Sequence, residues 1–258
     1  MRITMRNQRR RGFTLMEMMI ATTIAALAMA TATSFYYQMV KGHYIVDQRI
    51  TQVGVIRRFS QEMIYHASRA NQVFLYKSSA AADRAAPSNQ LHVDITDPDN
   101  FLHPAGDFAV FVYYEFPKPI GQDYHNIKKI VGYYLDAAAG QIGPITRITI
   151  DLSQNITTGA ATLSDQVPAY DTTTAKTMVE KVMTDNWASA THTRTDKFVL
   201  NARGLFESET TNEGLGRLFY YRDERISLMV AGQIYGTKFT DQKATYTDSF
   251  NFSVTPRS

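Results

Sequence analysis

One acidic residue, Glu17, lies in an otherwise uncharged stretch of sequence that runs from Phe13 to Val40. An ionised carboxylate in apolar surroundings costs several kcal/mol unless a positive group or hydrogen-bond donors compensate it. So close to the start of an apolar helix, such a group requires a specific partner, and the chemistry that its position favours is charge pairing. Glu17 is therefore the strongest candidate for a functional residue in the sequence.

A short basic segment precedes this stretch. Residues 1–12 contain five arginines and no acidic residue, and the 23 residues from Met18 to Val40 are uncharged. As a helix, these 23 residues would extend about 35 Å, which is enough to cross a bilayer once. Because basic flanks remain in the cytoplasm, we predict a single transmembrane segment at 18–40 with a cytoplasmic N-terminus.

The run Gly12-Phe13-Thr14-Leu15, with Glu17 two residues further on, resembles the signal of type IV prepilins and type II secretion pseudopilins. The resemblance implies that a prepilin peptidase cuts after Gly12 and that the new amino group of Phe13 is methylated. It also implies that Glu17 meets the N-terminal amine of a neighbouring subunit during assembly. An ordinary secretory signal is cut beyond its apolar core and discarded, whereas a cut after Gly12 keeps the apolar helix on the mature chain.

The family resemblance carries expectations about function, partners and location. It implies a structural subunit of a type IV pilus or type II secretion pseudopilus. The length of the chain favours a larger minor subunit, similar to the J-type pseudopilins or W-type pilins. The implied partners are prepilin peptidase, other pilin or pseudopilin subunits, the inner-membrane assembly platform and membrane lipid. The implied location is the bacterial inner membrane, with the C-terminal domain in the periplasm, and then the filament. Two alternatives stay open: a filament-tip adhesin or ligand-binding subunit, and a signal-anchored periplasmic domain.

The charge balance and the absence of cysteine bear on two further properties, nucleic-acid binding and stabilisation by disulfide bonds. The chain has a formal net charge of +3, but without the five leader arginines it has 22 basic and 24 acidic side chains. The basic balance therefore belongs to the leader and does not indicate nucleic-acid binding. The sequence contains no cysteine, so no disulfide stabilises the exported part. Many pilins and pseudopilins have a C-terminal disulfide loop, and this chain departs from that pattern.

A weaker candidate is a calcium site. Four oxygen-bearing side chains occur within seven residues, at Asp94, Asp97, Asp99 and Asn100. Calcium takes six to eight oxygen ligands, and some pseudopilins bind it in a loop of the sheet domain. The same D-P-D-N run is also ordinary turn chemistry, and no other cofactor is indicated.

The sequence predicts that the chain is not an enzyme. It contains no Walker A motif, no H-E-x-x-H, no G-x-S-x-G and no thiol nucleophile. Tyrosine pairs at 113–114, 133–134 and 220–221 could form an aromatic face that binds sugars. Such residues more commonly fill or border the core of a sheet.

The elements that position these residues begin with one long helix. Apolar residues at helical spacing predict a single helix from about Phe13 to about Ala70, with Gly42 as the point where it could bend or melt. The apolar stripe predicted to face a sheet comprises Val46, Ile50, Val53, Ile56, Met63, Ile64 and Ala67. Four charged residues are predicted to face outward: Arg49, Arg57, Arg58 and Glu62.

The remainder of the chain is rich in β-branched and aromatic residues separated by turn formers. Strands are predicted at 73–77, 90–95, 107–116, 128–135, 145–152, 197–201, 217–221, 224–230, 233–239 and 249–256, and a helix capped by Asp171 at 172–185. The strands at 217–221 and 224–230 flank Arg222 and Asp223 and are predicted to form a tight hairpin, whereas 78–89 and 153–170 are predicted to be loops. Alternation of apolar and polar residues at 145–152 and 250–254 predicts that these strands have one face in water. The family resemblance implies an α+β, pilin-like fold, with a long N-terminal helix packed on a mostly antiparallel sheet, and the predicted elements are compatible with it. The predicted domains are a leader at 1–12, the helix at 13–70 and a β-rich domain at 71–258.

Overall fold

A computed structural model describes residues 13–84, 92–94, 105–114, 124–137, 140–152, 166–168, 172–207, 216–222, 227–237 and 244–255. The helices are α1 (Leu15–Ala67), α2 (Ala81–Arg84) and α3 (Thr172–Asn186). The strands are β1 (Gln72–Tyr76), β2 (His92–Asp94), β3 (Ala105–Gly106), β4 (Phe108–Tyr114), β5 (Tyr124–Leu135), β6 (Gly143–Asp151), β7 (Gln166–Pro168), β8 (Thr193–Gly204), β9 (Phe206–Glu207), β10 (Gly216–Arg217), β11 (Phe219–Arg222), β12 (Ser227–Thr237) and β13 (Ala244–Val254). The chain divides into two compact units, Met1–Gln48 and Arg49–Ser258.

The long helix predicted from the sequence is confirmed. Helix α1 is continuous from Leu15 to Ala67 and shows no break at Gly42, so the predicted weak point is not a melted turn. Among the described residues, α1 is the one helix that is long and apolar enough to cross a membrane, with a window of mean hydropathy 1.6.

Of the described strands, all but β9 and β10 form one antiparallel sheet, which confirms the predicted α+β class and is consistent with a pilin-like fold; β9 and β10 pair with each other. Its strand order is β2-β1-β4-β5-β6-β8-β12-β11-β3, with β13 added to β12 and β7 to β5. The predicted hairpin at Arg222 is confirmed, because β11 and β12 pair antiparallel and Arg222 lies opposite Ser227. The strands predicted at 224–230 and 233–239 are one strand, β12. Two segments predicted as loops, 78–89 and 153–170, contain α2 and β7.

The sheet has a hydrophobic core on each face. One core joins α1 to the sheet through residues such as Phe59 and Tyr133. The other core joins α3 to the opposite face through residues such as Val182 and Ile148. Because side chains alternate across a strand, Ile145 of β6 belongs to the first core and Ile148 to the second. The predicted wet face of β6 is confirmed over the second half of the strand, where Thr149 is half-buried and Asp151 is exposed while Ile148 and Ile150 are buried under α3. It is wrong at Thr146, which is buried. For β13 the prediction is confirmed, since Asn251 and Ser253 are exposed.

The face of α1 that packs on the sheet matches the predicted stripe only toward the end of the helix, where Met63 and Ala67 are buried and Ile56 packs against the core. The buried residues of α1 are Phe59, Met63, His66 and Ala67. Three residues assigned to the stripe, Ile50, Val53 and Ile64, are 67%, 47% and 51% exposed. The buried set is centred on Phe59, whose ring packs against Tyr133, Phe198, Phe250 and Phe252. An aromatic cluster spread over three strands decides which face of the helix is buried, and its assembly is not visible in the helical spacing.

Strands β3 and β1 approach each other closely, so the last strand in this order lies near the second. The amide of Asp107 donates a hydrogen bond to the carbonyl of Lys77 (2.9 Å). At Gly106 a Cβ atom would lie 2.2 Å from the carbonyl oxygen of Tyr76, so only glycine permits this approach. A buried ion pair secures the same corner, with Arg217 Nη1 donating to Asp107 Oδ2 at 2.6 Å.

Helices α2 and α3 meet through a stacked cation. The guanidinium carbon of Arg84 lies 3.8 Å from the ring centroid of Trp187, and Arg84 is buried. The Trp187 ring packs in turn on Phe108 and Tyr134, each at 5.8 Å between centroids. This cluster belongs to the α3 face of the sheet.

Candidate functional site

The start of α1 is closed by reciprocal hydrogen bonds between Thr14 and Glu17. The Thr14 amide and hydroxyl both donate to Glu17 Oε2, at 2.8 and 3.0 Å, and the Glu17 amide donates to Thr14 Oγ1 at 3.2 Å. This is a capping box, in which a threonine cap and a glutamate three residues later satisfy amides that the helix leaves unpaired. The T-x-x-E spacing of Thr14 and Glu17 signals such a box, so this cap was predictable from the sequence although it is not among the predictions above.

The capping box holds the Glu17 side chain in a defined position without burying it. Glu17 is exposed, and Phe13, two residues before the first helical residue, is 82% exposed. Because Oε2 already accepts two hydrogen bonds, the carboxylate is oriented before any partner arrives. This arrangement can present a fixed negative charge to an approaching cation.

All described residues from Phe13 to Met39 are exposed, and they form a continuous apolar surface. Its large side chains include Leu15, Met16, Leu27, Met29 and Phe35, each at least 69% exposed. A contiguous apolar surface of this extent marks contact with lipid or with other protein. We therefore expect this surface to contact lipid or other protein rather than water.

The threonine hydroxyls of this apolar surface form hydrogen bonds with the backbone of their own helix. The hydroxyls of Thr22, Thr23, Thr31 and Thr33 each donate to backbone carbonyls three or four residues earlier. Threonine hydroxyls in apolar helices can bond across a helix contact, but in the structure these four bond within their own helix. They add little polarity to the surface, which suits an apolar environment.

A second group of polar residues lies where α1 meets the sheet. Arg147 of β6 donates from Nη1 to Glu62 Oε2 of α1 at 2.7 Å and from Nη2 to Asp196 of β8. Tyr133 adds a hydrogen bond to the same Glu62 oxygen at 3.3 Å, and Arg58 lies 3.2 Å from the other. Glu62 was predicted to face outward, and this prediction is wrong because Arg147 draws its side chain toward the sheet.

One turn later, His66 is buried against the sheet. Its Nδ1 lies 2.6 Å from the hydroxyl of Tyr113. Burial, together with the positive charge of Lys129, lowers the pKa of His66 to about 4, so the ring is neutral near pH 7. Neither His66 nor Arg147 is recognisable as a site residue from the sequence, since their partners lie far away in the chain.

Several predicted site residues lie outside the described part of the chain. These are Gly12, at the expected cleavage point, and three of the four calcium candidates, Asp97, Asp99 and Asn100. The fourth, Asp94, ends β2. The calcium site therefore stays a prediction. Of the tyrosine pairs, Tyr133 and Tyr134 are buried in the two cores, which favours the core interpretation over an aromatic binding face.

Comparison with known families gives one match. Residues 7–33 match the model of the prokaryotic N-terminal methylation motif. The N-terminal signal of this chain is therefore of the type IV prepilin and pseudopilin kind. Signals of this kind are found on structural subunits. No curated protein and no solved structure is detectably similar to the chain.

Proposed function

We propose that this chain is a structural subunit, of a minor kind, of a type IV pilus or type II secretion pseudopilus. In this proposal, prepilin peptidase removes residues 1–12, Phe13 becomes the methylated N-terminus, and the subunit assembles through α1. The observation that carries the proposal is the methylation motif at 7–33, placed on a helix whose apolar surface is exposed from Phe13 to Met39. The chain awaits assembly in the inner membrane, spanning it at 18–40 with its β-rich domain in the periplasm.

The role proposed for Glu17 is to pair with the free amine of Phe13 on a neighbouring subunit. The capping box supports this role because it fixes the carboxylate one turn from the N-terminus. Removal of the leader creates the amine, so cleavage and pairing are coupled: an uncut neighbour has no N-terminal charge at Phe13 to offer. The inner-membrane platform and the other subunits supply the remaining contacts, and burial of the apolar helix supplies most of the cohesion.

Intact mass of the membrane-extracted protein, made with and without its cognate prepilin peptidase, tests the first part of this proposal. We expect the loss of residues 1–12 only when the peptidase is present, with or without one added methyl group. Gly12→Val should block the cut. An uncut wild-type chain in the presence of peptidase, or a cut beyond Ala30, would overturn the proposal in favour of a signal-anchored periplasmic domain.

A pair of substitutions separates charge pairing from helix capping. Glu17→Gln removes the charge but can still cap the helix, whereas Thr14→Val removes the hydroxyl bonds of the cap and keeps the charge. We expect both variants to be cleaved, and only Glu17→Gln to be lost from the sheared filament fraction or from crosslinked complexes with other subunits. Asp47→Val, which removes an exposed charge elsewhere on α1, is the control. If Thr14→Val fails to assemble as severely as Glu17→Gln, the cap rather than the charge is the requirement.

A further inference from the structure

A cleft of about 480 Å³ opens in the sheet domain beside the last turn of α1. His66 of α1 and the turn that leads into β8 form its walls, and β5 and β6 form its floor. This volume lies within the range of small-molecule sites. Nothing in the proposed assembly through residues 13–40 uses the cleft, so its role is a separate question.

The strand pairing places Thr149 of β6 at the centre of the floor. Arg194 of β8 lies opposite Thr149, and Lys129 of β5 lies diagonal to it, opposite Asp151. Arg147 is two residues from Thr149 along β6 and therefore shares its face of the sheet. Since neighbouring strands are about 5 Å apart, three cationic side chains start from backbone positions around one threonine hydroxyl.

The lining of the cleft is positively charged. It contains three cations, on Lys129, Arg147 and Arg194, and one carboxylate, on Asp151. With histidines counted as neutral, three positive charges and one negative charge give the lining a net charge of +2. Such a surface attracts anions and repels cations.

The carboxylates behind the lining neutralise only part of this charge. Glu62 and Asp196 bind three arginines between them, and these are Arg58, Arg147 and Arg194. With the lysine and the aspartate of the lining added, the group has four cations and three carboxylates, a net charge of +1. The positive excess contrasts with the chain as a whole, which without its five leader arginines has 22 basic and 24 acidic side chains.

Lys129 is the member of this group that lacks a counter-charge. Its side chain is half-buried, and no residue in the described part of the chain forms an ion pair or a hydrogen bond with its ammonium group. After burial itself, the charge of Lys129 has the largest influence on the pKa of His66, which it lowers, and it outweighs the opposite effect of Glu62. The wall of the cleft is therefore at positive potential, and an anion beside Lys129 would offset the cost of its partial burial.

The donors that remain available favour a phosphate group over a carboxylate. Both Nη atoms of Arg147 are bound to carboxylates, so its fork offers no bidentate site for a planar ligand. The remaining donors lie on three strands: the ammonium of Lys129, the hydroxyl of Thr149 and the guanidinium of Arg194, which is 79% exposed. A phosphate group has three strong acceptor oxygens that point in different directions, and lysine binds it as a point charge.

We propose that this cleft binds the phosphate group of a small molecule. Lys129 pairs with the phosphate charge, and Thr149 and Arg194 donate further hydrogen bonds to its oxygens. Arg147, held by its two ion pairs, keeps the floor positive. This site gives the sheet domain a ligand-binding activity that is independent of helix assembly, and it holds whether or not the subunit enters a filament.

Isothermal titration calorimetry on the full chain tests the proposal. The protein is held in dodecyl maltoside, which contains no phosphate, and the probes are inorganic phosphate, glucose 6-phosphate and glycerol 3-phosphate, with acetate as the carboxylate for comparison. We expect saturable binding of at least one phosphate probe and weaker binding of acetate. The affinity should fall as the salt concentration rises from about 0.05 to about 0.5 M, because the contact depends on charge.

Three variants locate the binding. Lys129→Met removes the unpaired cation and should weaken binding about tenfold or more. The matched control is Lys128→Met, which removes the same charge from an exposed neighbour outside the lining and should bind as the wild type does. Asp151→Asn removes the carboxylate of the lining and should tighten binding about two- to tenfold. A gain in affinity cannot result from a misfolded variant.

The outcomes separate the proposal from its rivals. No saturable binding of any phosphate probe would overturn it. Equal losses in Lys129→Met and Lys128→Met would overturn it too, because binding would then follow the net charge of the chain. Acetate that binds as tightly as the phosphate probes would replace it with a general anion site.

The three phosphate probes distinguish the sources of the group. Tighter binding of glucose 6-phosphate would support a soluble phosphorylated sugar, tighter binding of glycerol 3-phosphate a lipid headgroup, and tighter binding of inorganic phosphate the free ion. Far-UV circular dichroism of each variant confirms that it is folded, so that a lost affinity can be assigned to the cleft.

Discussion

At the scale of single residues, the structure separates two kinds of polar group. Glu17 stands out in the sequence because it is the one charge in an apolar stretch, and its capping partner Thr14 lies three residues away, within reach of a local motif. Arg147 does not stand out, because its partners Glu62 and Asp196 lie 85 and 49 residues away. Local pairs could be predicted from the sequence, whereas pairs brought together by strand order could not.

The ion pairs of Glu62 give the first prediction at this scale. Arg147→Met removes a half-buried cation that holds Glu62 and Asp196, and we expect it to lower the free energy of unfolding by about 1–3 kcal/mol. Arg58→Met removes the other cation on Glu62, which is 69% exposed, and should cost less than about 0.5 kcal/mol. Denaturant unfolding monitored by circular dichroism measures both changes. Equal losses of unfolding free energy in the two variants would show that the half-buried pair of Arg147 with Glu62 is no stronger than the exposed pair of Arg58 with Glu62.

At the scale of elements, helices and strands were easier to predict than the faces they bury. The long α1, the α3 helix and the β11–β12 hairpin follow from periodicity and turn residues close in sequence. The buried face of α1 does not, because Val53 and Phe59 are both apolar and only the partner strands decide between them.

The orientation of α1 makes a direct prediction about two apolar residues. Phe59→Ala should lower the free energy of unfolding by about 3–5 kcal/mol, since it opens a cavity among four aromatic rings. Val53→Ala, at a position that is 47% exposed, should change stability by less than about 0.5 kcal/mol. Thermal and denaturant unfolding curves provide the measurement. A larger loss for Val53→Ala would favour the stripe originally predicted from the sequence.

At the scale of the whole molecule, the family resemblance and the predicted elements indicated an α+β fold but not the order of its strands. The described path places β8 between β6 and β12 and returns through β11 and β3, where Gly106 meets the backbone of Tyr76. Such an order depends on long-range pairing, for which a single sequence has no local signal. The N-terminal signal could likewise be recognised in the sequence, whereas the ion-pair cluster of Glu62, Arg147 and Asp196 could not.

The division into two units predicts that the sheet domain folds without the apolar segment. The described residues of the core all lie beyond Gln48, beginning with Phe59. A chain that begins at Arg49 should therefore melt cooperatively in aqueous buffer. A chain that begins at Ser68 lacks Phe59, Met63 and His66 and should not show a cooperative transition. Differential scanning calorimetry distinguishes the two, and failure of the longer fragment to fold would contradict the division.

The stacked pair of Arg84 and Trp187 has a spectroscopic consequence. Trp187 is the one tryptophan of the chain, and it lies in the core that α3 shares with the sheet. Its emission therefore reports the solvent exposure of that face, while the core beneath α1 is silent at the same wavelengths. An emission transition that comes earlier or later than the loss of far-UV ellipticity would show that the two faces of one sheet melt in separate steps.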